Sequence, residues 1–265
     1  MSDRPRERAI CLYVTDFSET SQVAHFLARA SGVVHALAKG SKRPKSATGG
    51  PLDLLEEGEM VFIPSRREGM ATLVEFAPAT YHVPLRKRAG ALNAALYMAE
   101  ITHMLLAESD PHPPAFDLLS AALARLDKSD APIQAVLAYF QWRLLRQVGL
   151  LGEMDGCIAC GKALSGEPLS REAVSRERFF FSSREGGFLC STCRPEGGDR
   201  QVVPPAALAG IAALAAMDRR QPASLAEPAA AAVNDLLAYH LSYQLGKTPR
   251  MLRHIRPARP GPSSI

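Results

Sequence analysis

Four cysteines in two pairs, Cys157-Ile158-Ala159-Cys160 and Cys190-Ser191-Thr192-Cys193, carry the most specific chemistry in the chain. Two residues between partners let both thiolates of one tight turn face a single ion. The 29 residues between the pairs are enough for a small hairpin that brings the two turns together. Four thiolates suit tetrahedral Zn²⁺, which accepts sulfur and has no directional preference of its own. Ala159 and Thr192 are small, and Gly161 follows the first pair where the backbone must turn sharply. Three other readings compete. A redox pair or a disulfide is disfavoured by the doubling of the motif, and catalytic zinc by the absence of an open position for water. The expected cofactor is one structural Zn²⁺ on Cys157, Cys160, Cys190 and Cys193. Such an ion builds a shape and names no reaction.

A second group of residues points to polyanions. Lys39, Lys42, Arg43 and Lys45 lie within seven residues on a Gly/Pro/Ser loop, where flexible cations can reach successive phosphates of a nucleic-acid strand. A merely solvated basic loop is the plainer alternative. Arg86-Lys87-Arg88 precedes the first long helix, where cations oppose the macrodipole, so helix stabilisation does not explain them. Lys247, Arg250, Arg253, Arg256 and Arg259 follow the last helix, where the macrodipole welcomes cations whether or not DNA is bound. Residues 1–50 hold eight Lys/Arg against four Asp/Glu, and the chain beyond Asp235 holds five basic and no acidic side chains. Basic ends around a mildly acidic middle suggest a polyanion touched by both ends.

Other patterns carry no chemistry. Gly156 to Lys162 fits the first seven positions of a phosphate-binding loop, but Ala163 stands where a hydroxyl for Mg²⁺ is required and no strand leads in. Gly246-Lys247-Thr248 lacks the earlier glycine, with Leu241 in its place. No nucleotide cofactor is expected. The seven histidines show no metalloprotease-like spacing, and no nucleophile elbow or carboxylate pair is present. His103 reads as an ordinary packed or surface residue, Trp142 as helical core, and Phe179-Phe180-Phe181 as packing for the cysteine hairpin.

These residues need elements to position them. Arg8–Val14, Gly32–Ala38, Met60–Ile63 and Thr72–Phe76 read as short strands, and Gln22–Arg29 as a short helical turn between the first two. Strands of this length in about 75 residues favour a five-stranded oligonucleotide-binding (OB) barrel over a sandwich. Helical spacing follows over Ala89–Ala107, stopped by Pro111, Pro113 and Pro114, then over Phe116–Leu126 and from Ile133 to Gly149. It resumes at Pro205–Arg219 and Glu227–Leu245, with Gly246 as the stop. The fold class is α+β: an N-terminal OB-fold β-barrel, then an α-helical domain with an inserted four-cysteine zinc module. The expected bounds are 1–82 for the barrel, 83–152 and 201–256 for the two parts of the helical domain, 153–200 for the zinc module, and 257–265 for a disordered tail. No apolar run approaches the roughly 20 residues of a membrane span. MSDRPRERAI lacks the apolar stretch of a secretory signal, and a reducing cytoplasm is the expected compartment.

In this order, barrel, basic loop, helices and inserted cysteine module resemble the family of the bacterial DNA repair protein RecO. The likeness rests on Asp16-Phe17-Ser18-Glu19-Thr20-Ser21, on Gly32 through Arg43, on Cys157-x-x-Cys160-Gly161, on Phe181 through Cys193, and on Leu236 through Lys247. It spans roughly residues 8–255. After Lys247 the chain reads Thr-Pro-Arg-Met-Leu-Arg-His, where the family more often has Leu-Lys-Ser. The resemblance implies a non-enzymatic, nucleoid-associated recombination mediator. Such proteins bind single- and double-stranded DNA, anneal complementary strands and contact single-strand-binding protein. With RecR they assist loading of the recombinase RecA onto coated DNA. Some family members lack the cysteines, which implies that zinc is dispensable for the family's activity. The competing readings are a zinc-stapled protein interaction scaffold with incidental basic segments, and a nucleic-acid enzyme.

Overall fold

Five strands close into a barrel in the order β1-β2-β3-β5-β4: β1 (Arg6–Asp16), β2 (Gln22–Ala28), β3 (Gly32–Ala38), β4 (Glu57–Ile63) and β5 (Ala71–Thr80). All neighbours are antiparallel except β3 and β5. This is an OB-like barrel. The computed structural model describes residues 6–65, 69–152, 154–163, 178–194, 201–216 and 225–255. The expected tail 257–265, Arg256, Arg259 and the end of the Pro205–Arg219 helix lie outside them.

Period-two alternation assigns the barrel's two faces. Ala9, Cys11, Ala24, Phe26, Ala28, Val34, Ala36 and Ala38 point inward, with Phe26 and Phe76 packed at 5.0 Å between ring centroids. Alanine at so many inward positions suits the narrow interior of a small barrel. Cys11 is a buried strand residue, and burial pushes its thiol far up, leaving it inert. The opposite face is apolar where the helices cover it. Ile10, Leu12, Leu27 and Val33 belong to the core formed by the helices.

That second apolar face corrects one expectation. Gln22–Arg29 is not a helical turn; Gln22–Ala28 is β2, paired with β3 along its whole length. Its inward face fills the barrel, and its outward face carries Leu27 under the helices with Val23 and His25 half-buried, so apolar side chains on both faces blur the polar-apolar alternation of a half-buried strand. Closing the barrel also satisfies its backbone groups on both sides.

The helices are α1 (Val83–Arg86), α2 (Ala89–Leu105), α3 (Pro113–Leu126), α4 (Ile133–Gln147), α5 (Pro205–Ala216), α6 (Glu227–Gln244) and α7 (Leu252–Ile255). α2 stops at Leu105, before the prolines expected to end it. Pro113 instead opens α3, where its missing N–H costs nothing, and His112 Nδ1 caps Ala115 N at 3.2 Å. Gly149 (φ 74°) and Gly246 (φ 62°) end α4 and α6 in the left-handed conformation that glycine adopts without strain. Trp142 is buried in this core. A polar chain crosses it: Tyr97 Oη donates to Gln141 Oε1 (3.0 Å), Gln141 Nε2 to Asn234 Oδ1 (2.8 Å), and Asn234 Nδ2 to Gln134 Oε1 (2.7 Å). Among the described residues no helix is long and apolar enough to cross a membrane.

Polar clasps hold barrel and helices together. Arg29 forms a two-point pair with Asp117 of α3, both bonds 2.9 Å. Arg8 bonds Glu57 and lies over Phe116 of α3. His82 Nδ1 meets Asp127 Oδ2 at 2.7 Å just after the barrel ends. The cysteine region forms a separate sheet, ordered β7-β6-β8, of β6 (Phe179–Ser182), β7 (Gly187–Cys190) and β8 (Gln201–Val202).

Candidate metal centre and nucleic-acid interface

The β6–β7 hairpin sets the geometry of the second cysteine pair. Phe179 pairs with Cys190 and Phe181 with Phe188, so Cys190 ends β7 directly opposite the start of β6. The first pair docks on this hairpin through Ile158 N, which donates to Phe188 O at 2.9 Å. Its turn closes on itself: Gly161 N donates to Cys157 O and Cys157 N to Lys162 O, both 2.8 Å. Gly161 has φ 72°, the left-handed conformation that a sharp turn after the second thiol requires. Gly187 is equally constrained, since a Cβ there would stand 2.4 Å from Ile158 Cγ2.

One sulfur from each of Cys157, Cys160, Cys190 and Cys193 lies within 4.8 Å of the other three, with Cys160 Sγ 3.8 Å from Cys190 Sγ. A tetrahedron with Zn–S bonds of about 2.3 Å has its sulfurs roughly 3.8 Å apart, so the four residues fit such an ion. Burial opposes a thiolate at Cys157, but backbone N–H groups of Cys190, Ala159 and Cys160 outweigh it and bring the thiol down to about 6. The backbone N–H of Cys193 lowers the Cys190 thiol against a smaller effect of burial. Hydrogen bonds donated by the Cys193 thiol to Cys160 and Cys190 hold it up, to about 12. Four sulfurs this close cannot all ionise alone, and a cation among them would draw off the remaining protons.

The module is rooted in the helical core. Phe181 and Phe188 are fully buried there, and Phe181 meets His240 of α6 edge-on at 5.1 Å. Gln244 Nε2 donates to Ser183 O at 2.6 Å. Phe179 and Phe180 pack around Cys157 and Cys190, so the aromatic run packs the hairpin as expected.

The basic loop follows β3 and is stitched to the barrel by Gln22 and Ser41. Ser41 Oγ donates to Gln22 Oε1 (2.9 Å), which also accepts from Leu52 N (2.8 Å). Gly40 N donates to Ser21 Oγ and Lys42 N to Thr20 O, both 3.1 Å, so the loop lies against the β1–β2 turn. Lys39, Arg43 and Lys45 are exposed, whereas Lys42 is paired with Asp16. That turn carries Phe17, 60% exposed, which sequence alone marks only as part of the Asp16–Ser21 motif. Its signal is an aromatic in a turn whose neighbours are polar, close in the fold to exposed cations.

The second basic group divides. Arg86 donates to Tyr81 O (2.8 Å), Asp53 Oδ2 (2.8 Å) and Leu54 O, and Arg88 to Leu126 O and Ser129 O, so both guanidiniums bind the fold itself. Lys87 between them is exposed. At the C-terminal end, Glu100 accepts from Arg250 N (2.7 Å) and Met251 N (2.8 Å), fixing the chain after α6 on α2. His103 is half-buried and packed, as expected. It sits with His25 and His35 on the seam between barrel and helices; burial first, then the neighbouring imidazoles, bring the His25 ring down to about 4.

Comparison with known proteins agrees with this architecture. The family model described as "Recombination protein O N terminal" matches residues 1–81, and "Recombination protein O C terminal" matches residues 86–254. A DNA repair protein RecO of Anaeromyxobacter dehalogenans is 30% identical over 254 residues, covering 92% of this chain and 93% of that one. A second, from an Anaeromyxobacter species, is 29% identical over 93% of both chains. The RecO of Rhodopirellula baltica is 32% identical over 71% of this chain and 66% of its own length.

Proposed function

The chain belongs to the RecO family of DNA repair proteins, and from that premise we propose that it is a non-enzymatic recombination mediator. It binds single- and double-stranded DNA and anneals complementary strands. With RecR it assists loading of RecA onto DNA coated by single-strand-binding protein.

The observation that carries this reading is an OB-like barrel whose β1–β2 turn, bearing the exposed Phe17, is hydrogen-bonded to the loop that bears the exposed Lys39, Arg43 and Lys45. The cations neutralise phosphates, which supplies most of the affinity in such binding, and the ring offers a face on which any base can stack. Lys42 joins them when Asp16 gives way to a phosphate. Lys87 extends the surface, with Arg86 and Arg88 holding the backbone beneath it while adding positive potential.

The cysteine cluster holds one Zn²⁺ on Cys157, Cys160, Cys190 and Cys193. The ion supplies folding energy to two turns and leaves no position for a reactant.

Binding of a fluorescent single-stranded oligonucleotide across a salt series tests the proposal. Tight binding at low salt with a linear, negative log–log slope is expected. Absence of binding at low salt overturns it in favour of a protein interaction scaffold.

A further inference from the structure

Three histidines far apart in sequence meet where the barrel touches the helices. His25 of β2 and His35 of β3 are directly opposite each other in the antiparallel register, on the outward face of the barrel. Their rings stack at 3.6 Å between centroids. His103, in the last turn of α2, reaches across the seam and places Nε2 2.6 Å from His25 Nδ1. One nitrogen from each ring lies within 4.8 Å of the other two, and all three side chains are half-buried, open on one side to solvent. Glu108 Oε1 accepts from His35 Nδ1 at 2.8 Å. This carboxylate is placed by the backbone, since Glu108 bridges to Val33 and Ser109 N donates to Val33 O at 3.0 Å.

We infer that His25, His35 and His103 form a second metal site, separate from the cysteines, that takes a divalent ion of borderline softness such as Zn²⁺, Co²⁺ or Ni²⁺. Three imidazoles suit these ions and not Mg²⁺ or Ca²⁺, which require oxygen ligands. A cross-strand pair is a natural two-point holder, because the strands fix the spacing of opposed side chains. The helix supplies the third ligand. At 2.6 Å the His25 and His103 nitrogens share one proton, and a metal takes that proton's place with a small outward rotation of the half-buried rings. Glu108 bonds the ring of His35, as carboxylates do behind metal-bound histidines, which orients the ligand and raises its basicity. Three side-chain ligands leave a fourth position for water. The ion ties β2 and β3 to α2, and so locks the DNA-facing barrel against the helical core.

The site is read with cobalt on the reduced, metal-stripped full chain. One Co²⁺ should bind with visible ligand-field absorption and no thiolate-to-metal charge transfer; the cysteine site takes another with strong charge transfer. His103→Ala should abolish the first spectrum and weaken that binding by roughly 100-fold or more, and Glu108→Gln by about 10- to 100-fold, leaving the thiolate spectrum unchanged. The proposal is overturned if the intact protein binds Co²⁺ only with charge transfer, or if the nitrogen-type equivalent survives in folded His103→Ala and His25→Phe variants. Should a variant not fold, the spectrum of the intact chain alone decides. Loss of only the thiolate-type equivalent would refute the cysteine-zinc reading and leave this one standing.

Discussion

Lys42 Nζ lies 2.5 Å from Asp16 Oδ2, so one cation of the basic loop is tethered to the last residue of β1, immediately before the exposed ring of Phe17. A surface pair of this kind contributes about 0–1 kcal/mol to stability, little enough for an arriving phosphate to displace the carboxylate. Asp16→Asn is therefore expected to leave the melting temperature nearly unchanged and to tighten single-stranded DNA binding several-fold. Neutralising Lys39, Lys42, Arg43 and Lys45 together should weaken binding to all sequences alike. It should also flatten the log–log salt slope by about 0.7 for each phosphate no longer neutralised. A slope unchanged in the quadruple variant would move the DNA site away from this loop.

Phe17 separates stacking from charge. It is 60% exposed, so Phe17→Ala removes little packing and should leave stability within about 0.5 kcal/mol. Base stacking on such a ring is worth about 1–3 kcal/mol, which corresponds to a loss of affinity between about 5-fold and 150-fold. The salt slope should stay as in the parent, because every cation remains in place. A parallel affinity and slope change in this variant would mean that the turn had been displaced and no stacking platform removed.

What was legible in the sequence follows the range of the interaction concerned. The cysteine turns could be read because each is a four-residue event, with Gly161 supplying the conformation its neighbours need. Helix ends at Gly149 and Gly246 were legible for the same local reason. β2 was not, because Val23 and Leu27 on its outward face blur the alternation that marks a strand, and the alanines between Gln22 and Arg29 suit a helix in isolation. The histidine trio was invisible for a further reason: His25 and His103 are 78 residues apart and each is a single residue on its own element. Charge at Arg86 and Arg88 was legible, but not that the main-chain carbonyls of Leu54 and Leu126 would claim it.

That distinction between Arg86 and Lys87 can be measured. Arg86 satisfies Tyr81 O, Leu54 O and Asp53 at once, and hydrogen bonds from a charged donor contribute about 1.5–3 kcal/mol. Arg86→Ala should lower stability by about that amount in denaturant unfolding. Lys87→Ala should leave stability unchanged and reduce DNA affinity modestly. Equal destabilisation by both would show that neither side chain is reserved for a partner.

Metal loss should be felt locally. Cys193→Ser is expected to remove one equivalent of zinc and to speed amide exchange at Cys157–Gly161 and Cys190–Cys193, because metal affinity there is local folding energy. Phe181 and Phe188 sit in the helical core, so the root of the hairpin should retain protection. The barrel has its own core and should exchange as before. Faster exchange in β1–β5 of the variant would mean that the zinc module supports the whole molecule.

The mediator reading makes its strongest demand on annealing. Two complementary strands repel through their phosphates, and a protein that holds one strand on fixed cations lowers that repulsion for the second. Stacking on Phe17 would hold bases at one point and leave their pairing edges open. No nucleotide is consumed in this scheme, so acceleration should persist with ATP and Mg²⁺ removed, and also on strands coated by single-strand-binding protein. In a fluorescence assay the parent should speed annealing, the quadruple loop variant should lose most of that gain, and Phe17→Ala should lose part of it. Raising salt should suppress the parent's effect along the same slope that governs its DNA binding, since both depend on the same displaced counterions. Acceleration that is absent in the parent, or undiminished in the loop variant, would contradict the assignment of annealing to this face of the barrel.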